Sequence, residues 1–344
     1  MTGNHPMSRM TSVLALSAAL TAPSAQAVEW QLDDDTLFSV YGSLEPKLIN
    51  ETGDDGDDSF ELDDEDSAVG IYAEHRFGPG LTAFGQLELE FSSDEGGSGN
   101  GAFDEQDSAF AGIKGDFGKV QAGNFDNVYE DLIIDATEVA EDAEITDEAV
   151  ASEDNMIAYY SPSFGGFSFR TQVRIQGEDE LDGVNDPDNE VGFAIAGGYT
   201  GKNFGVYAGY DDNGAEVRDA FDSSGNDTGN EEVADGETYG AAGVASFDPI
   251  EVAVKYSVQD NEDNDPVGDE TEFIAGRGTF NYGPGDIYAA VQEVSPDATD
   301  NRTEFTVGAD YKIFSNLKVW SEAGFFDREE EAGDNVMVGA IYNF

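Results

Sequence analysis

From residue 36 onward, apolar and polar residues alternate one by one in runs of about ten, the period of a strand whose two faces meet different surroundings. In 36–50, Phe38, Val40, Gly42, Leu44 and Leu48 share one face, while Ser39, Tyr41, Ser43, Glu45 and Lys47 take the other. In 81–91, Leu81, Ala83, Gly85, Leu87, Leu89 and Phe91 alternate with Thr82, Gln86, Glu88 and Glu90. Sixteen such runs are predicted as strands: 36–50, 67–78, 81–91, 107–114, 119–124, 155–161, 167–176, 190–200, 205–211, 237–247, 250–259, 271–282, 286–294, 302–312, 317–326 and 335–344. Their connections alternate. Short ones hold Gly, Pro and Asn, as hairpin turns demand, and long ones are acidic: 51–66, 177–189, 212–236, 260–270, 295–301 and 327–334. An even strand count with tight turns at one end and long loops at the other is the pattern of a transmembrane β-barrel.

One stretch breaks the rhythm. Residues 126–154 do not alternate and carry twelve carboxylates, with no Lys or Arg between Lys119 and Arg170. An irregular segment of that length inside a compact fold calls for a functional explanation. We expect it to fold into the barrel after the fifth strand and narrow the pore with negative charge, Asp131, Asp135, Glu138, Glu141 and Asp142 lying closest to the path. Leu132, Ile133, Ile134, Val139 and Ile145 suit a loop packed on the wall, since a loop trailing in water would not need them.

Composition sharpens this. The 344 residues hold 15 Lys plus Arg against 74 Asp plus Glu, a formal net charge of −59. Phosphates would be repelled, which excludes nucleic acid and argues against an anionic lipid surface. High charge alone would suggest disorder, but 23 Phe, 14 Tyr and 41 Gly describe an aromatic, turn-rich β protein. Such an acidic excess keeps a protein hydrated where salt screens repulsion, and points to a salt-loving source. Cys is absent, which excludes disulfides and thiolate sites.

Residues 1–27 have the form of a secretory signal: Arg9, the apolar run 13–22, and Ala25-Gln26-Ala27 as the cleavage site. Cleavage before Val28 removes Arg9 and no acid, moving the formal charge from −59 to −60 and leaving 28–344 as one barrel domain. No later apolar run approaches the ~20 residues of a spanning helix, so strands must do the spanning.

A soluble sandwich also alternates, but its core would not tolerate Glu45, Lys47, Glu88, Arg170, Arg174, Lys255, Glu272 and Glu322 in mid-strand. A water-filled lumen hydrates them, and Phe77, Phe91, Phe117, Phe164, Phe167, Tyr199, Phe204 and Tyr342 near the turns suit an interfacial girdle. Chemistry finds little purchase. His75 is the one histidine after the signal and its parity puts it on the lipid side near a turn, and no GxSxG elbow is present. Acid clusters at 54–58 and 260–270 suit loosely held Ca²⁺ or Mg²⁺, but neither has EF-hand spacing, and no cofactor or specific metal site is expected.

These residues resemble the general porins of Gram-negative bacteria. The matching pieces are VYGSL (40–44), FGPGLTAFGQLELEF (77–91), AFAGIKGDFGKVQAG (109–123), NMIAYYSPSFGGFSF (155–169) and the terminal VGAIYNF (338–344). The resemblance implies an all-β, sixteen-stranded antiparallel barrel in the outer membrane, a homotrimer amid outer-membrane lipid, and passive diffusion of ions and small hydrophilic solutes. It implies an inward constriction loop after strand five, and Phe344 as the signal to the barrel-assembly machinery. The chain departs from the family where relatives often set arginines opposite that loop: Ala158 stands at one such place, and Ala68 and Asp107 at two others. The Pro-Glu-Phe-Gly loop tip is missing as well. Lys47, Arg76, Arg170, Arg174, Lys255, Arg277 and Lys318 face the lumen by parity, and Lys47, Arg170 and Arg174 are expected as a remnant basic wall. An acidic loop facing a thinned basic wall predicts cation selectivity. A substrate-specific channel or a sealed structural barrel is the alternative, though no lumenal aromatic slide for sugars is located.

Overall fold

The computed structural model describes residues 27–53, 58–93, 106–148, 150, 154–175, 191–212, 216–221, 227–234, 236–261, 270–327 and 333–344. The expected signal peptide, the acids at 54–57 and most of the acidic run 260–270 lie outside the described residues.

Sixteen antiparallel strands close into a barrel. They are β1 (Thr36–Leu44, continued as Pro46–Thr52), β2 (Ala68–Gly78), β3 (Leu81–Glu90), β4 (Ser108–Gly115), β5 (Gly118–Asn124), β6 (Met156–Tyr160), β7 (Phe167–Ile175) and β8 (Val191–Thr200). The second half holds β9 (Phe204–Asp212), β10 (Gly236–Phe247), β11 (Ile250–Asn261), β12 (Glu270–Asn281), β13 (Asp286–Pro296), β14 (Arg302–Phe314), β15 (Leu317–Phe325) and β16 (Asn335–Asn343). Each pairs with its chain neighbour, and β16 returns to β1 through Leu44↔Tyr342 and Lys47↔Gly339. Phe344 locks the seam: its N–H donates to Gly42 O at 2.9 Å, and its carbonyl accepts from Gly42 N–H at 3.0 Å. Closure leaves no wall strand with an open edge, the condition for irregularity-free passage through hydrocarbon.

The alternation resolves as a radial division. Val254, Ile274, Val206 and Phe169 project outward and are exposed, whereas Lys255, Arg174, Gln172 and Glu322 project inward and are buried. The greasy face meets lipid and the charged face the lumen.

Three short strands fall in segments read as loop, and a fourth precedes the first predicted run. Val28–Gln31 pairs beside β1, Asp58–Asp64 extends the sheet beside the second arm of β1, and Glu216–Phe221 pairs with Asp227–Ala234 as a separate hairpin. Acids on both sides of Phe60 and Leu62 hid the alternation of the second of these, and both side chains stand exposed. Glu272 is also corrected. Buried Thr271 and Phe273 flank it, and it shares the outward face with exposed Ile274 near the long-loop end, where it accepts from the Tyr256 hydroxyl at 2.9 Å.

Candidate functional site

After β5 the chain turns inward and runs along the inner wall. Among the described residues of this loop the one regular piece is a 3₁₀ turn, Glu130–Leu132. The local cause is a pair of Asn127 contacts: its Oδ1 accepts from Tyr129 N–H at 2.8 Å, and its amide donates to the buried Asp211 carboxylate of β9 at 2.7 Å. Val128 N–H donates to Gln172 of β7 at 2.8 Å.

Apolar packing then fixes the loop. Phe125, Val128, Tyr129, Leu132, Ile133, Ile134 and Ala136 are buried together with Ala158, Ala194, Ala196, Ala242 and Ala253 of the wall. Burying each large side chain contributes roughly 1.5–3 kcal/mol. The wall yields that space by being small. A Cβ at Gly209 would stand 2.7 Å from the Tyr129 ring, and one at Gly240 would stand 2.5 Å from its hydroxyl. Gly240→Val should therefore push Tyr129 away and widen the passage. A raised single-channel conductance is the expected result, and an unchanged one would show that the Tyr129 seat does not hold the loop.

Further along, Ile145 and Val139 pack on Ala275 and Ala290, and Ala143 and Ala140 on Ile49, Trp320, Met337 and Ile341.

Polar contacts pin the same path. Glu322 of β15 accepts three loop N–H groups, from Glu141 at 2.7 Å, Ala143 at 3.0 Å and Asp142 at 3.1 Å. Glu304 of β14 accepts Thr146 N–H and its hydroxyl, each at 2.7 Å. Arg277 of β12 donates to Ala136 O at 2.7 Å while pairing with Glu251 of β11, also at 2.7 Å. Wall carboxylates thus carry backbone amides, which explains how an acidic wall and an acidic loop sit together.

Ion pairs divide the five acids expected on the path. Asp131 pairs with Arg170, Glu141 with Lys318 at 2.5 Å, and Asp142 with Lys47 at 2.5 Å. Lys47 also meets Glu65 at 2.5 Å, and Arg174 meets Asp154 at 2.8 Å. The three expected wall cations are therefore all engaged with loop acids that the sequence left unpaired. Asp135 and Glu138 have no cation partner among the described residues. Glu144 and Asp147, not singled out in the sequence, join them: oxygens of Glu138, Glu144 and Asp147 lie within 4.8 Å of one another, near enough to share one hydrated cation. Partial burial and Glu138 push Asp135 well up, and partial burial and Glu144 push Glu138 up. Burial and Asp147 raise Glu144 to about 7, and burial and Glu138 raise Asp147 to about 8.

Sequence reasoning missed a buried pair. Lys255 of β11 donates to Glu148 at 2.7 Å with both side chains at 0 % exposure, and Tyr129 OH donates to the same carboxylate at 3.3 Å. Lys255 was visible by parity, but its partner lay 107 residues away with nothing local to mark it. Phe84, Phe110 and Phe125 meet edge-on at 6.3 and 5.9 Å, tying the wall to the base of the loop.

Comparison with known proteins agrees with this architecture. The family model described as Gram-negative porin matches residues 12–331. A "Monosaccharide porin" of Halomonas sp. is 30% identical over 98% of this chain and 100% of its own length. Among solved structures, OmpT of Vibrio cholerae in its trimer form superposes with a TM-score of 0.68 at 16% identity, covering 90% of this chain and 100% of that one. The anion-selective porin of Comamonas acidovorans gives 0.69 at 17% identity, with the same coverage. A closed sixteen-stranded barrel, an inner loop pinned by charge and a family match over most of the chain have one meaning together: this protein belongs to the Gram-negative porins, channels of the outer membrane.

Proposed function

We propose that this porin passes ions and small hydrophilic solutes by passive diffusion and prefers cations. The observation that carries the reading is the pairing pattern of the loop. Asp131, Glu141, Asp142, Glu148 and Asp154 each have a basic partner, while Asp135, Glu138 and Glu144 have none among the described residues. Among the described residues the one cation Asp147 reaches is Lys255, at 3.8 Å, which it shares with Glu148. Above the raised values of Glu144 and Asp147 the confined path therefore carries uncompensated negative charge, and a ring of charge in a narrow aqueous pore sets ion preference. A unit pair about 4 Å apart is worth roughly 1 kcal/mol in water and roughly 4 at an effective dielectric of 20, and about 1.4 kcal/mol is tenfold in partitioning.

Asp131, Glu141 and Asp142 act in this reading as anchors, with Lys47 and Arg170 as their counter-charges and Arg174 holding Asp154 at the loop's far end. The combined variant Asp135→Asn, Glu138→Gln, Glu144→Gln, Asp147→Asn tests it. The cation-to-anion permeability ratio is expected to fall about tenfold, and a ratio equal to that of the parent channel would refute the assignment. Assembly as a homotrimer, in keeping with the trimer form of OmpT, should appear as channel closure in three equal steps. Phe344, held in the seam beside Tyr342, is proposed as the element the assembly machinery receives. The Halomonas relative's name favours monosaccharides among the neutral solutes. Swelling of porin-loaded liposomes in glucose, compared with a disaccharide, reads that preference.

A further inference from the structure

The inner wall holds a basic row that the loop does not account for. Register runs Arg76↔Thr82, Thr82↔Lys114, Lys114↔Lys119, Lys119↔Tyr160 and Tyr160↔Arg170, so four cations share one level across β2 to β7, beside the short turns. The chain has only 15 Lys plus Arg in all, and concentrating four of them on one level is not what an acidic bias would produce.

Two of the four are neutralised: Lys114 meets Glu74 at 2.9 Å, and Arg170 meets Asp131. Lys119 and Arg76 have no ion partner among the described residues. The Lys119 ammonium instead lies 3.7 Å from the centre of the Tyr160 ring, with the Arg170 guanidinium 5.4 Å from the same ring. Lys114 and Lys119 also stand directly opposite each other on paired strands, where like charges destabilise. With 74 acids in the chain, placing a carboxylate there would relieve the repulsion. Glu74 offsets this for Lys114, but Lys119 has only the Tyr160 ring, and a broken local rule without a carboxylate to relieve it marks a position kept for something other than folding.

We propose that Lys119 and Arg76 form an oxyanion-holding subsite at the turn-side mouth of the pore, which takes the carboxylate or phosphate group of small solutes. The ring of Tyr160 holds the Lys119 ammonium against the wall by cation–π attraction, so that it is presented without a competing carboxylate. Acids at the loop and a basic row at the turns make the pore bipolar along its axis. An anion entering from the turn side meets attraction first, and one entering from the long-loop side meets repulsion first.

The test is sided block in planar bilayers, with the channel inserted from one chamber. Succinate is added to either chamber at constant ionic strength and low salt, where surface charge is least screened. The expected result is a concentration-dependent reduction of current from one chamber, at least fivefold weaker from the other. The double variant Lys119→Gln, Arg76→Gln should lose that block, while Lys119→Arg should keep it, which separates charge from fold. Equal block from both chambers, or block unaltered in the double variant, would overturn the subsite. Because the loop acids are untouched, these variants should keep the cation-selective sign of the reversal potential, which keeps this result separate from the cation-selectivity test.

Discussion

Replacing Lys255 with methionine is expected to loosen the constriction loop and raise single-channel conductance. Lys255 and Glu148 are both fully buried and 2.7 Å apart. Removing one partner leaves a buried charge without compensation, a loss of about 3–5 kcal/mol. The barrel is held independently by its closed hydrogen-bond ladder, so the strain falls on the loop around Glu148, where the neighbouring polar attachment is Thr146 to Glu304. Escape of Glu148 to water carries Ile145 and Tyr129 with it, since Tyr129 OH donates to Glu148. The double variant Lys255→Met, Glu148→Leu should recover most of the parent conductance, because replacing both partners with apolar groups of similar size is often neutral. A single variant with parent conductance and noise would show that this pair does not seat the loop.

Selectivity should also follow pH. Glu144 is raised to about 7 and Asp147 to about 8, each by burial first and by a neighbouring carboxylate second, with Glu138 shifted the same way. Above these values the groups are charged, and below them they are neutral. Lowering the pH from about 9 to about 6 therefore removes negative charge from the cluster, and cation preference falls. An ordinary surface carboxylate would titrate near 4 and leave this window flat. Reversal potentials across that range should move toward zero as pH falls, and the double variant Glu144→Gln, Asp147→Asn should remove most of the slope. A preference that grows on acidification would contradict the assignment.

Much of the fold was legible because a barrel wall writes its two environments into every second residue. Leu87 against Glu88 and Val254 against Lys255 declare their faces without any long-range knowledge. The break at Glu45 was not legible: β1 changes neighbours at Pro46, which has no N–H to donate, and the Glu45 N–H turns to Ser67 Oγ at 2.9 Å instead. The loop announced itself by lost alternation and its apolar residues, and Ile133 and Ile134 pack on the wall as that pattern implied. What stayed hidden was pairing. Whether Asp131 is bare or bound depends on Arg170, 39 residues on, and whether Glu141 is bare depends on Lys318, 177 residues on. Charge counting along the chain sees neither. Lys114 and Lys119 escaped notice because the strands around them are rich in Gly and Ala, which blurs parity.

The account rests on uncompensated carboxylates in a confined aqueous path. The most direct measurement is the reversal potential of the unaltered channel across a tenfold potassium chloride gradient at about pH 9, above the values to which Glu144 and Asp147 are raised. A potential of the cation-selective sign, shrinking toward zero as salt is raised and the Debye length falls from about 10 Å at 0.1 M to about 3 Å at 1 M, is the predicted result. A potential of the anion-selective sign at low salt would contradict it.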